Sequence, residues 1–223
     1  MSKPVAWSHS VLDSFTTCPR RHYLLKVAKT VFEKPSEAMT WGNTVHKALE
    51  LRVTQSKPLP DTMATYEPIV ASLIQKAEGG VIRAEQKMTL NARYVPVTFF
   101  AKDAWVRGIT DVDITKGDKM LIADYKTGNR KPDSDQLRLT AALAMHHKPE
   151  VKTVINTFIW LKTGEVDTET FTREDLPSIW QGFAPKVQRL EHAFAENKWP
   201  AQPSGLCKNY CPVGKANCEH CGS

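Results

Sequence analysis

The sequence predicts an α/β protein, because amphipathic helical segments and apolar strand segments both recur along its 223 residues. The clearest strands form a hairpin at 105–130, in which Gly117 and Asp118 have the turn chemistry of a short hairpin loop. The strand after this turn is apolar at 120–123 and therefore on both of its faces. We expect that strand to lie in the centre of a sheet.

The segment before the hairpin is predicted to be mostly helical. A serine cap (Ser8 or Ser10) begins a short first helix, and Pro19 suits the first position of a second. The spacing of apolar residues predicts a longer helix at 41–55 and a helical insertion at about 57–80.

Local patterns also place the remaining elements. Pro132 and Asp133 are typical of a helix start, and the pattern from Thr172 to Asp175 is typical of a capping box that begins a final helix. Pro185 lies inside that final helix and is expected to kink or interrupt it. The further predicted strands lie at 81–90, 153–161 and 165–172.

The composition suits one globular domain, and its net charge suits a polyanionic partner. Hydrophobic residues make up 41% of the chain, and the formal net charge of +6 favours a polyanionic partner, although an ordinary basic protein explains the charge as well. No apolar run reaches the roughly 18 residues of a membrane span, and the first residues lack the apolar core of a signal peptide. We therefore expect a cytoplasmic protein with no membrane partner.

Charged residues meet at one end of the hairpin. If Gly117 and Asp118 form the loop, then Asp111 faces Asp124, and Lys126 shares the face of Asp124. Two adjacent carboxylates repel each other, and a hard divalent cation such as Mg²⁺ or Mn²⁺ relieves that repulsion. A solvated surface hairpin is the competing interpretation. We favour the metal site, because charges at the end of a buried strand are costly unless they have a task.

The same residues carry a family resemblance. Gly108 and Asp111 form a GxxD strand, Asp124 and Lys126 form a (D/E)xK strand, and Gln136 begins the helix that follows. In this order they resemble the PD-(D/E)XK nuclease superfamily in its RecB-like branch. That branch includes the RecB and AddB nuclease domains and CRISPR-associated adaptation nucleases. The resemblance implies a restriction-endonuclease-like fold, in which helices flank a mixed central sheet.

The resemblance also implies a site and its chemistry. The phrase GNTVHKALE matches the GxxxH helix of the family, which makes His46 a metal ligand. Lys126 would orient the attacking water, and Gln136 would steady the site or the phosphate. Glu85 on the first strand is expected to be exposed, and Thr140 stands where the family has a tyrosine. The implied ligands for Mg²⁺ or Mn²⁺ are His46, Asp111, Asp124 and the backbone carbonyl of Tyr125.

Five cysteines form a separate signal, with Cys18 near the start and four in the tail. Since no secretion signal is recognised, they favour metal ligation over disulfides. The tail cysteines alone satisfy tetrahedral zinc, and a [4Fe–4S] cluster also needs four thiolates. Cluster-bearing members of the resembled family take one cysteine from an N-terminal CPxR phrase and three from the tail. The resemblance therefore implies a cluster on Cys18, Cys207, Cys211 and Cys218, and the alternative is zinc on Cys207, Cys211, Cys218 and Cys221.

The resemblance implies a metal-dependent deoxyribonuclease, expected to be an exonuclease, that works in DNA recombination, repair or processing. Its domain would span 1–199, and a cysteine-rich tail at 200–223 would pack on the same domain. The expected partner is DNA that is single-stranded or has single-stranded ends, together with a recombination or replication protein. Arg130 and Lys131 are predicted to contact phosphates, although a solvated basic loop explains them equally. Two alternatives remain: an inactive DNA-binding module with a zinc-ribbon tail, and a protein that recruits a partner.

Overall fold

The computed structural model describes residues 6–131 and 134–222. Pro132 and Asp133, the expected start of a helix, lie outside the described residues. Within the described residues, no helix combines the length and the apolar character that crossing a membrane requires.

Contacts divide the chain into two compact units. The first unit is Ser36–Ile179, and it holds the five-stranded sheet. The second unit combines the described parts of 1–35 and 180–223, and it holds the N-terminal helices, most of the last helix and the cysteine-rich tail. The expected boundary between a nuclease domain and a tail at residue 200 stays a prediction.

A mixed five-stranded sheet forms the centre of the first unit. Its strands are β1 (Val81–Asn91), β2 (Ala104–Lys116), β3 (Lys119–Lys126), β4 (Thr153–Trp160) and β5 (Glu165–Thr172). They lie in the order β1-β2-β3-β4-β5; β3 and β4 are parallel, and the other pairs are antiparallel. The expected α/β fold with a mixed central sheet is confirmed, and β3 lies in the middle of that sheet.

The hairpin between β2 and β3 has the predicted register. Lys116 pairs with Lys119 across the turn, and paired residues continue as far as Val112 and Ala123. Beyond this point β3 remains paired with β4 to its end, whereas it no longer pairs with β2. The two strands therefore part at the level of Asp111, and the sheet forks there.

Six α-helices are described, and three of them begin where the sequence predicts, namely the first two and the last. They are α1 (His9–Thr17), α2 (Pro19–His22), α3 (Glu37–Gln55), α4 (Glu67–Lys76), α5 (Ser134–His147) and α6 (Leu176–Glu196). The side chain of Ser8 caps α1, and Pro19 begins α2, as expected. The helical insertion expected at about 57–80 is shorter, since a 3₁₀ turn at Asp61–Tyr66 precedes α4. α6 continues through Pro185, so of the two expected effects, a kink or an interruption, the interruption does not occur.

Helices cover both faces of the sheet in the first unit. α3 and α4 pack on one face through an apolar cluster that includes Ala123 and Tyr125 of β3. Asp124 lies between these two residues and contacts α5 instead, as strand alternation requires. A Cβ atom at Gly108 of β2 would lie only 2.4 Å from Cδ1 of Leu143 on α5. Glycine at this position therefore allows α5 to approach the strand that leads to the fork.

An aromatic cluster surrounds Trp199 in the second unit. The ring centroids of Phe15, Tyr23 and Phe194 lie 6.2, 5.0 and 4.8 Å from that of Trp199. Phe15 belongs to α1, Tyr23 follows α2, and Phe194 belongs to α6. The cluster therefore joins the N-terminal helices to the end of α6 through ring contacts.

Gly108→Ala is expected to destabilise the protein by about 1–3 kcal/mol, because the added methyl group overlaps Leu143 in a filled core. Gly182→Ala is the control: nothing lies within 4 Å of its Cβ position, and alanine favours the helical interior by about 1 kcal/mol. Urea unfolding of both variants measures the difference. Equal midpoints for Gly108→Ala and the wild type would contradict the close packing of α5 on β2.

Candidate active site

The fork between β2 and β3 is held by the side chain of Asp111. Its Oδ2 accepts a 2.7 Å hydrogen bond from the backbone N–H of Tyr125. Its Oδ1 lies 3.2 Å from Nδ1 of His46 on α3. A carboxylate therefore replaces the strand partner of one N–H group. These contacts join α3, β2 and β3 at a single side chain.

Three side chains around this carboxylate could hold a cation. Ligand atoms of His46, Glu85 and Asp111 all lie within 4.8 Å of one another, and the three residues are half-buried. One imidazole and two carboxylates form a donor set that suits divalent metals. His46 and Asp111 were predicted as ligands from the sequence, whereas Glu85 was expected to be exposed.

Glu85 adopts a backbone conformation that is unusual for its type. Its φ is 51°, in the left-handed region, which costs a residue other than glycine roughly 1–2 kcal/mol. It lies between two regular pairs of β1 and β2, at the level of Asp111. Backbone strain concentrates at functional sites, so this conformation supports a role for Glu85 in the site.

A second group of side chains adjoins the fork at the end of β3. Lys126 Nζ lies 2.7 Å from Asp124 Oδ2 and donates a 2.8 Å hydrogen bond to Gln136 Oε1. Gln136 Nε2 donates in turn to Asp124 Oδ1, at 2.6 Å. No described residue gives Oδ2 of Asp124 a well-directed hydrogen bond, so this oxygen keeps a lone pair for a further ligand. Asp124, Lys126 and Gln136, all predicted from the sequence, form a closed triangle of contacts. Gln136, in the first turn of α5, orients the other two side chains.

Negative charge is crowded at the fork. Burial and the charge of Asp111 raise the pKa of Asp124 to about 6. Burial likewise raises the pKa of Glu85, and the charge of Asp111 adds to this shift. Burial lowers the pKa of His46, but the hydrogen bond and charge of Asp111 outweigh it, so this pKa is raised overall. The group therefore lacks the positive charge that a divalent cation would supply.

The candidate metal ligands His46, Glu85 and Asp111 line an open cleft of the first unit. The walls come from α3, β1, β2 and the segment after β3, and they include Asn43, His46, Glu85, Ile109, Asp111 and Gly128. Ile109 is 40% exposed, so apolar surface adjoins the charged groups. The candidate metal ligands can be reached from solvent through this cleft.

The chain matches a known protein family over most of its length. A model of the PD-(D/E)XK nuclease superfamily matches residues 6–219, nearly the whole chain. The chain belongs to this superfamily.

Two solved structures that are similar to this superfamily member share little sequence with it. The crystal structure of SSO0001 is 14% identical, with a TM-score of 0.45, and the match covers 99% of this chain and 88% of that chain. A "putative exonuclease" from Eubacterium rectale is 13% identical, with a TM-score of 0.47, and the match covers 89% of this chain and 90% of that chain. A search of curated proteins found no match.

Thr140 stands where the resemblance to other superfamily members predicts a tyrosine. Its side chain is buried and donates a 3.0 Å hydrogen bond to the carbonyl of Gln136. It also accepts a 2.6 Å hydrogen bond from Nδ2 of Asn156 on β4. Thr140 therefore ties the first turns of α5 to the sheet.

The basic residues after β3 are placed differently from each other. Nε of Arg130 donates a 3.0 Å hydrogen bond to Asp167, and its guanidinium also lies 3.5 Å from Glu165. Both acids belong to β5, so Arg130 is held on the sheet by ion pairs. Lys131 is exposed. Contact of either residue with nucleic acid stays a prediction.

The five cysteines lie together in the second unit. Cys18 and all four tail cysteines line one cavity. Sγ of Cys18 accepts a hydrogen bond from the N–H of Gln202 at 3.4 Å, and Sγ of Cys207 accepts one from the N–H of Ser204 at 3.4 Å. Cys221 is buried. A cysteine from the start of the chain therefore meets those of the tail.

Glu85→Gln is expected to weaken Mn²⁺ binding by at least about tenfold, because an anionic oxygen ligand is lost. Isothermal titration calorimetry without nucleic acid measures this affinity independently of any cleavage. Glu78→Gln, at an exposed position just before β1, is the matched control and should bind Mn²⁺ as the wild type does. Unchanged affinity in Glu85→Gln would exclude this residue as a ligand.

Proposed function

We propose that this protein is a Mg²⁺- or Mn²⁺-dependent deoxyribonuclease that acts as an exonuclease on DNA ends during recombination, repair or processing. One arrangement carries the proposal: the triangle of Asp124, Lys126 and Gln136 adjoins the candidate metal ligands at the fork. Carboxylate oxygens are the donors that small, hard cations prefer. The residues present therefore fit the metal that the family resemblance implies.

Each group at the fork has a task in this proposal. When bound, the cation supplies Lewis acidity and positive charge for phosphodiester hydrolysis. Lys126 is fixed by its two partners, so its Nζ can donate to a water or to a phosphate oxygen. The water oxygen bonds to phosphorus, one P–O bond to the sugar breaks, and the proton passes to the departing oxygen or to solvent. The residues that would hold the cation are His46, Glu85, Asp111, Asp124 and the carbonyl of Tyr125.

An inactive DNA-binding module and a recruitment protein are the alternative functions. Neither would need a lysine held between a carboxylate and an amide at the end of a buried strand. Neither would need Glu85 in a strained conformation beside Asp111. Buried charge and backbone strain both lower stability, and their combination at one place favours an active site.

Lys126→Ala is expected to reduce cleavage by at least about 100-fold and to leave DNA binding largely intact. Cleavage depends on the ammonium group at the fork, whereas binding depends on many phosphate contacts. The rate is measured with Mn²⁺ on a linear single-stranded oligonucleotide, and binding by fluorescence anisotropy in EDTA. The wild type should cut with Mg²⁺ or Mn²⁺ and should be inactive with Ca²⁺ or EDTA.

Lys57→Ala, which removes an exposed lysine of the first unit, is the control for this experiment and should cut normally. Full metal-dependent cleavage by Lys126→Ala would refute the role of that lysine. A circular single-stranded substrate has no ends, so exonuclease action predicts that it survives. Its cleavage would establish endonuclease action instead.

We also propose that a [4Fe–4S] cluster is held in the cysteine cavity by Cys18, Cys207, Cys211 and Cys218. Cys18 lines this cavity, which a zinc site within the tail would not require. Cys221 lies within side-chain hydrogen-bond reach of Cys211 and Cys218. Zinc bound by Cys207, Cys211, Cys218 and Cys221 is therefore the alternative.

Protein purified without air is expected to be brown and to contain about four iron atoms per chain. Cys18→Ser should lose the iron and unfold more easily, because cluster binding and folding are coupled. Cys221→Ser is the matched variant and should keep both iron and colour. Metal analysis distinguishes the cluster from zinc: one zinc per chain, retained in Cys18→Ser, would contradict the proposal.

A further inference from the structure

Two cations and two aromatic rings form a patch on β1, β2 and the loop between them. Nζ of Lys87 lies 5.5 Å from the ring centroid of Phe99. Cζ of Arg107 lies 5.5 Å from the centroid of Phe99 and 5.8 Å from that of Phe100. The two rings meet edge to face with centroids 5.1 Å apart, and Phe100 is 79% exposed. We call Lys87, Phe99, Phe100 and Arg107 the aromatic–basic patch.

The positive charge of the aromatic–basic patch is not neutralised by neighbouring acids. Among the described residues, neither Lys87 nor Arg107 has a carboxylate within ion-pair distance. Nε of Arg107 is buried and has no hydrogen-bond acceptor in the described part of the chain. A guanidinium with an unused donor, held against phenyl rings, suits an anionic ligand that also carries a flat surface.

The loop that presents Phe100 is ordered by hydrogen bonds. Oδ1 of Asn91 accepts from the N–H groups of Arg93 and Val95, at 3.0 and 3.1 Å. The N–H of Val97 donates to the carbonyl of Thr89 at 3.0 Å. The loop thus presents a large apolar ring at the surface. Single exposed rings are common on proteins, but this one lies beside the guanidinium of Arg107 and could stack with a flat ligand.

The aromatic–basic patch adjoins the cleft at the fork. Ile109 and Asp111 line the cleft, and Arg107 precedes them on the same strand. Lys87 is the cross-strand partner of Ile109. At about 3.3 Å per residue, Arg107 lies roughly 13 Å from Asp111 along β2. A nucleic-acid strand with a phosphate at Asp111 can therefore extend onto the patch.

We propose that the aromatic–basic patch is a binding subsite for single-stranded nucleic acid, in which a base stacks on Phe100 while Arg107 and Lys87 hold adjoining phosphates. The proposal rests on the proposed nuclease function. Stacking on aromatic side chains combined with cationic contacts to the backbone is the usual mode of single-strand binding. A duplex keeps its bases stacked on one another and offers none to Phe100. The subsite therefore selects strands or ends that are unpaired.

Fluorescence anisotropy of a labelled oligothymidylate in EDTA tests the subsite separately from catalysis. Phe100→Leu keeps an apolar side chain but removes the ring, and it is expected to weaken binding about 5- to 150-fold. Phe100→Trp should bind at least as tightly as the wild type, because a larger ring stacks as well. Phe32→Leu removes another ring, 86% exposed and outside the patch, and should bind as the wild type does.

Salt dependence tests the cationic part of the subsite. Arg107→Gln and Lys87→Gln should each reduce the slope of log K against log salt by about 0.7, while Lys57→Gln should leave it unchanged. Wild-type affinity in Phe100→Leu, or no binding of oligothymidylate by the wild type, would overturn the proposal. The first result would point to a protein partner for the patch. A different result would show that the nuclease proposal fails. The protein would then not cleave DNA with Mn²⁺, but it would still bind oligothymidylate in a way that depends on Phe100.

Discussion

The fork in the sheet depends on the carboxylate of Asp111. Where β2 and β3 stop pairing, the N–H of Tyr125 would lack an acceptor, and Asp111 provides it. A buried donor without an acceptor costs roughly 1–3 kcal/mol, so this contact stabilises the open end of the sheet. The other oxygen of the same carboxylate contacts His46 and so positions α3. The group that allows the strands to part is also the group around which the candidate metal ligands collect.

The second half of the site depends on where α5 lies. β3 continues past the fork as the parallel partner of β4, and α5 is the connection between them. Gln136 in the first turn of α5 bridges Asp124 and Lys126, so the position of this helix sets the geometry of both charged groups. The close approach of Leu143 to Gly108 fixes that position from β2. Packing in the core and orientation of the lysine are therefore coupled.

The hairpin could be predicted because its turn fixes its register. With Gly117 and Asp118 as the loop, counting along both strands brings Asp111 level with Asp124. β1 could not be placed in this way, since residues 92–103 separate it from β2 and no short turn defines the count. The left-handed backbone conformation of Glu85 could not be predicted either, because glutamate rarely adopts it. Only knowledge of the β1–β2 register could have identified Glu85.

Local rules failed where tertiary packing competes with them. Proline removes a backbone donor and disfavours a helical interior, yet α6 continues through Pro185. Phe183, Val187 and Leu190 on either side are buried, and their burial outweighs the local cost. Cys18 illustrates a different situation, because its partners are almost 190 residues away in the chain. Spacing alone does not predict that Cys18 lines one cavity with the tail cysteines, and only the resemblance of its CPxR phrase implied it.

The electrostatic layout separates binding from chemistry. The chain carries a net charge of +6, yet Glu85, Asp111 and Asp124 crowd the fork with negative charge. A phosphodiester would be repelled there until a cation neutralises these acids. Arg107 of the aromatic–basic patch lies roughly 13 Å along β2 from Asp111, beyond the Debye length of about 10 Å at 0.1 M salt. This cation can therefore attract a nucleic-acid strand without a metal, whereas a phosphate at the fork would need a cation that neutralises the acids there.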